Sequence, residues 1–204
     1  MAPPRTPRRR AANRKPDAVI IDTNIILVAN GQNEDANFDA IDRCSRELDA
    51  VQKGRHGLVL LDDAPDSPDA SWILTEYQNK SQPWSGQFPG DLFVRWILEN
   101  QFNDAVILSI PITPCGDERK TSGEPVDYEE FPRVPALQNF DLSDRKFVAV
   151  ACGYQILEPD KSAVIVEASD SDFRIARPAL RKAGVQLRFL CPNSIKRKGD
   201  ASNA

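Results

Sequence analysis

The chain has 204 residues, 41% of them hydrophobic, and a formal net charge of −4. That fits one globular domain of about 100–200 residues, and no stretch approaches the roughly 20 apolar residues needed to span a bilayer. One histidine, His56, and four scattered cysteines without a CxxC pair exclude a zinc knuckle, a disulfide framework and a two-histidine zinc helix. Most triad hydrolases are excluded too, unless His56 serves.

Charge is unevenly spread. Residues 1–16 hold Arg5, Arg8, Arg9, Arg10, Arg14 and Lys15 and no acid, so the remainder carries a net −10. An acidic body with a basic arm predicts a polyanionic partner or an acidic metal site; for the arm itself the plainer alternative is a solvated tail. The arm lacks apolar periodicity and is expected to be disordered, as are residues 193–204, leaving 17–192 as the domain. Positive charge with no apolar segment behind it does not make a secretory signal, so the expected location is the cytoplasm, away from membranes.

In chain order, "AVIID" is a continuous apolar run of the kind found in a strand buried on both faces. Residues 35–53 read as a helix, with Phe38, Ile41, Leu48 and Val51 on one stripe and Gly54 at its end. "GLVLLDD" is a second buried strand, 69–80 a helix, and "GDLFVRWILENQF" another. "AVILSI" is a third strand closed by Pro111, followed by a long loop over 112–142. A loop of that length in a compact domain is usually functional or mobile. "SDRKFVAVACGY" is a helix with Ser143 as N-cap. "SAVIVEA" is a fourth strand, 172–183 a helix, and "VQLRFL" a fifth strand. Strands alternating with helices predict a single α/β domain, its mostly parallel, about five-stranded sheet flanked by helices. Cys44 and Cys152 fall in apolar helical patterns, where a free thiol acts as a small core residue. His56 lies in the loop before the second strand and is expected in solvent.

Three buried strands run straight into acids: the first into Asp22, the second into Asp62 and Asp63, the fourth into Asp170 and Asp172. In an open parallel sheet the ligand crevice lies outside the carboxyl ends of the strands, so these carboxylates should converge on one rim. Glu76, four residues after Trp72, lies beside its helix's apolar stripe, and Asp144 opens a helix toward Phe147 and Val148. Each has a plain structural role available: a helix cap for Asp22, a first-turn dipole partner for Asp144, a turn for Asp170, an ion pair for Glu76. Together those roles account poorly for the cluster. Two carboxylates about 5 Å apart repel by roughly 3 kcal/mol at an effective dielectric of 20. A cation relieves that, and hard oxygen ligands without histidine select Mg2+ or Mn2+.

"VIIDTN" at a strand end, Glu76 in "ILTEY", Asp144 in "SDRKFVAVA" and "SDSDF" after a later strand resemble the four acidic motifs of PIN-domain nucleases, in the bacterial PIN-like layout. The resemblance spans residues 18–190 and implies a three-layer α/β/α fold. It also implies a catalytic and metal-binding quartet of Asp22, Glu76, Asp144 and Asp170, with Asp172 an accessory ligand and Asn24 orienting the site. The segments ahead of Glu76 and over 112–142 are larger than in small toxin-type members, which leaves open whether Asp62, Asp63 or Asp91 join. The implied chemistry is metal-assisted phosphodiester hydrolysis, in RNA rather than DNA, with Lys146 or Arg145 meeting the scissile phosphate. A toxin, a defence effector or an RNA-processing enzyme would all suit it, with a protein regulator or an oligomer as further partners. In the arm, Arg8, Arg9 and Arg10 are candidates for nucleic-acid binding. The alternatives are a PIN-like module that binds nucleic acid or protein without cutting, and an aspartate-nucleophile phosphatase. The latter wants a second acid at position 24, which is Asn.

Overall fold

All four residues of β1 (Ala18–Ile21) are apolar and without solvent exposure, as a strand covered on both faces must be. It is the middle strand of a five-stranded parallel sheet with β2 (Leu58–Asp63), β3 (Ile107–Pro111), β4 (Ala163–Glu167) and β5 (Gln186–Phe189), ordered β3-β2-β1-β4-β5. The computed structural model describes residues 16–34, 36–64 and 71–192. The basic arm with Arg8, Arg9 and Arg10, and the C-terminal tail, lie outside them.

The connecting helices are α1 (Thr23–Ala29), α2 (Phe38–Gln52), α3 (Trp72–Asn79), α4 (Pro89–Asn100), α5 (Arg145–Leu157) and α6 (Ser171–Lys182). α1, α2 and α4 pack on one another, α3 meets α5, α5 lies across β2, β3 and β4, and α6 covers β5. The result is the expected α/β domain with a three-layer α/β/α arrangement. No helix among the described residues is long and apolar enough to cross a membrane.

Two local expectations are corrected. Leu48 and Val51 of the expected α2 stripe are buried, but Phe38 is 85% exposed and Ile41 half-buried, and Ala40 and Cys44 complete the buried face. The first half of that face is a small residue and a thiol, which the larger Phe38 nearby obscures. Pro111 closes β3 as its last residue, paired with Asp63. β3 is an edge strand, where a missing N–H costs no ladder bond. The N-cap of α5 is Asp144, one residue later than expected. Residues 112–142 do form a long irregular segment, with a 3-10 turn at Pro135–Leu137, but it is anchored. It buries Tyr128, Phe131, Leu137 and Phe140, and Phe140 meets the Phe173 ring of α6 edge-on at 5.1 Å.

Two strand- and helix-end acids are absorbed by this framework. Asp62, without solvent exposure, accepts from Ser71 Oγ at 2.7 Å, Trp72 N at 2.8 Å and Ile73 N at 2.9 Å, so it starts α3. Burial raises its pKa against the pull of those bonds from Ile73, Ser71 and Trp72. Asp91 accepts from Asn30 Nδ2 and Gln82 N, each at 2.9 Å, while Asn30 Oδ1 accepts from Gly90 N at 2.8 Å. That joint between α1 and α4 is tight: a Cβ on Gly86 would fall 1.9 Å from Asp91 Oδ2. Asp62→Ala should cost about 2–3 kcal/mol, because it strands buried N–H groups at a helix start. Chemical denaturation measures this; a loss below about 0.5 kcal/mol would mean that α3 needs no such cap.

Candidate functional site

The chain leaves β1 toward β2 on one side and returns to β4 on the other. The carboxyl ends of β1 and β4 therefore flank a topological switch point, the place where an open α/β sheet forms its ligand crevice. Ile21 pairs with Val166, and Asp22 N extends the ladder to Val166 O at 3.0 Å, which sets Asp22 beside Glu167. Asp22 is 2% exposed and Glu167 not at all. Asp22 caps α1, accepting from Asn24 N at 2.8 Å. The contact to Asn24 is thus with its backbone.

Glu167 Oε2 accepts from Asp170 N at 3.1 Å, whereas Oε1 is buried without a donor. The Asp22 carboxyl lies against the Glu167 carboxyl. Two acceptors facing each other in a dry site need a proton or a cation between them. Burial, and next the Glu167 charge, hold Asp22 well above the usual carboxylate range, with Glu76 and Asp170 adding to the effect over the opposing Asn24 N–H. Glu167 is raised likewise, by burial first and then by the charges of Asp170 and Asp144.

Asp170 caps α6 through Asp172 N at 2.5 Å and Phe173 N at 3.3 Å. Asp144 sits at the N-cap of α5 but makes no side-chain cap bond. Burial, then the charges of Asp22, Asp170 and Asp141, push its carboxyl up to about 8, against the pull of Lys146. Glu76 is held from α3, where its neighbour Tyr77 is fully buried and donates its hydroxyl to Ile21 O. The expected quartet of Asp22, Glu76, Asp144 and Asp170 therefore shares one electrostatic neighbourhood, with Asp172 half-buried in the first turn of α6. Glu167 is a fifth member that the sequence reading passed over. Its signal was present in "AVIVEAS", an acid as the last residue of an otherwise apolar strand.

Lys146 and Arg145 are not on the open rim. Lys146 has no solvent exposure; its Nζ lies 2.6 Å from Glu76 Oε2 and 2.9 Å from Glu124 Oε1, and donates to Ser143 O at 2.7 Å. Burial disfavours its charge, but Glu76 and Glu124 outweigh that and raise its pKa. Arg145 pairs with Asp127 at 3.0 Å and lies over the Phe131 ring at 4.7 Å. Two of these three partner acids, Glu124 and Asp127, come from the 112–142 segment, so its long-range packing helps turn two helix-start cations inward. Neither is available to a phosphate in this arrangement. Asp63 is exposed at the end of β2, Asp62 is taken up by the first amides of α3, and Asp91 by the joint between α1 and α4. His56 is half-buried, its Nε2 3.3 Å from Glu47.

Among the described residues, no group of three or more His, Cys, Asp or Glu side chains converges closely enough to hold a metal ion as the side chains stand. The reason is local. Asp22 and Asp170 each give an oxygen to helix amides, and Glu76 is turned to Lys146. The chemistry of the donor set nevertheless fits a hard cation: all ligating atoms are carboxylate oxygens, Glu167 Oε1 lacks a donor, and Asp144 is uncapped. Comparison with protein-family models, with curated proteins and with solved structures finds no match to this chain.

Proposed function

We propose that this protein is a Mg2+- or Mn2+-dependent nuclease acting on single-stranded nucleic acid, RNA in the first instance, in keeping with its resemblance to PIN-domain nucleases. The observation that carries the reading is the buried Asp22–Glu167 pair at the switch point, with Glu167 Oε1 lacking a donor. Asp22, Asp144, Glu167 and Asp170 are the residues that would hold the ion, with Asp172 at the rim. When bound, the ion would act as a Lewis acid and supply activated water for phosphodiester hydrolysis. The chain's own contribution is to hold these acids in a crevice that excludes water from Asp22 and Glu167. Through Tyr77 and Lys146 it also fixes the direction of Glu76. Asp144, with its raised pKa, can carry a proton near neutral pH.

A second reading is a module that binds without cutting. It is favoured by the Lys146–Glu76 pair, in which an internal cation already neutralises one acid of the cluster. Incubating the protein with end-labelled RNA or single-stranded DNA, with Mn2+ or with EDTA, separates the two. Cleavage that requires Mn2+ supports the nuclease, and binding without cleavage in every arm leaves the module.

Stability should report the same cluster. A carboxyl whose pKa is raised on folding stabilises the fold below its unfolded value near 4, and that contribution is lost as pH rises through the folded value. For Asp144 the loss extends up to about 8. In EDTA, the melting temperature should fall steadily between about pH 5 and pH 8. Mn2+ should oppose the fall, adding about 2.7 kcal/mol at a hundredfold excess over Kd. Melting curves that are flat in pH and indifferent to Mn2+ would remove the crowded-cluster reading.

A further inference from the structure

Away from the carboxylates, the outer face of α6 and strand β5 enclose two adjoining hollows of about 580 and 520 Å3. Both are lined by Arg177 and Leu187; Arg174, Arg188 and Phe189 line one and Arg181 the other. Residues 171–192 carry five basic residues and one acid, a net +4, whereas 17–170 carry 12 basic residues and 28 acids, a net −16. Positive charge on this body is therefore concentrated at one edge.

Three of those arginines, Arg174, Arg177 and Arg181, are exposed and stand at i, i+3 and i+7 of one helix, along a single ridge. Arg181, in the last turn, suits the helix dipole, but Arg174 and Arg177 are too far from the C-terminus for that account. Arg188 is paired with Glu47 and Arg174 donates to Pro192 O, while the ion pairs of the described residues include none from Arg174, Arg177 or Arg181. The Arg177 guanidinium lies over the Phe189 ring at 5.7 Å, so an aromatic surface accompanies the charge. The helix that lines the groove also begins at the candidate site. Asp170 caps the same helix, and at about 1.5 Å rise per residue Arg174 and Arg181 lie roughly 6 and 16 Å along it.

We infer that the α6–β5 groove is the track on which a single strand of nucleic acid lies as it leaves the carboxylate crevice, its phosphates on Arg174, Arg177 and Arg181. A charged groove with an aromatic floor is the sequence-tolerant way to hold such a strand. The choice of nucleic acid as occupant rests on the nuclease reading; the existence of a polyanion groove does not.

The test is binding of fluorescein-labelled single-stranded RNA, followed by anisotropy in EDTA so that nothing is turned over, over a salt series. Full-length parent is compared with the triple variant Arg174→Ala, Arg177→Ala, Arg181→Ala and with Arg177→Lys. The triple variant should bind about 10–100-fold more weakly at 0.1 M salt, with a slope of log K against log salt flatter by about 2, since three phosphate contacts contribute about 0.7 each. Arg177→Lys keeps the charge and should keep the slope. An equal melting temperature for parent and triple variant removes misfolding as the cause. Equal affinities and slopes would overturn the track, as would RNA that fails to bind the parent or a preference for anionic vesicles over RNA. A parent that cuts normally beside a triple variant that binds normally sinks the groove and leaves the nuclease. A parent that never cuts, with binding lost in the triple variant, does the reverse. Single-stranded DNA in a parallel arm tells whether the sugar matters.

Discussion

Asp22→Asn should abolish cleavage and at the same time make the metal-free protein more stable. Both effects follow from one position. The substitution takes a charge from the residues that would hold the ion, and disturbing a metal site even at one remove costs about 10–100-fold in affinity or activity. A loss of at least 100-fold in cleavage is expected. The stability gain has two sources. The neutral amide ends the repulsion with Glu167, Glu76 and Asp170, and its NH2 can donate to Glu167 Oε1, which has no donor in the parent. Its Oδ1 can still accept from Asn24 N, and Asn caps helices as well as Asp does. On the order of 1–3 kcal/mol is available, from the interaction of close charges at an effective dielectric near 20. At about 2–4 °C per kcal/mol for a chain of this size, the midpoint in EDTA should rise by several degrees. Mn2+ should then raise the melting temperature of the parent more than that of the variant. A variant that melts below the parent in EDTA would mean that the pair is not under strain. Cleavage at the parental rate would move the chemistry elsewhere.

Lys146→Met should be among the most destabilising single changes in the chain. Lys146 has no solvent exposure, and its ammonium is the shared partner of Glu76 and Glu124. Its removal leaves Glu76 without a cation and Glu124 with Lys120 alone, and breaking a buried ion pair costs about 3–5 kcal/mol. In melting temperature that is roughly 6–20 °C. A solvated lysine waiting for a phosphate would behave differently, since surface substitutions stay within about 0.5 kcal/mol. Thermal melts of the two proteins in EDTA decide between these descriptions. Adding Glu76→Gln should recover part of the loss, because it removes the acid left without a cation. A double variant as unstable as the single one would assign the cost to lost packing rather than to charge.

These two residues also mark how far the chain could be read from its letters. Strands buried on both faces are continuous apolar runs, so "AVIID", "GLVLLDD" and "SAVIVEA" declared a parallel α/β sheet without any knowledge of contacts. Strand-end position is equally local, and it brought Asp22 and Asp170 to the rim, where both lie. The strand order was a different matter. Asp22 and Glu167 are far apart in sequence, and only the pairing of β1 with β4 makes them neighbours. A glutamate that ends a strand looks solvent-facing until that partner is known. Asp62 had the same local appearance as Asp22, but contacts with Ser71 and the first amides of α3 absorbed it, as Asn30 absorbed Asp91. Lys146 stood on a helix start that propensity alone would leave in water. The 112–142 segment, whose path no periodicity encodes, carries Glu124 to it and closes it inside. Local chemistry therefore determined which residue types stand at which element ends, while long-range packing decided which of those charges are spent on structure and which remain for a ligand.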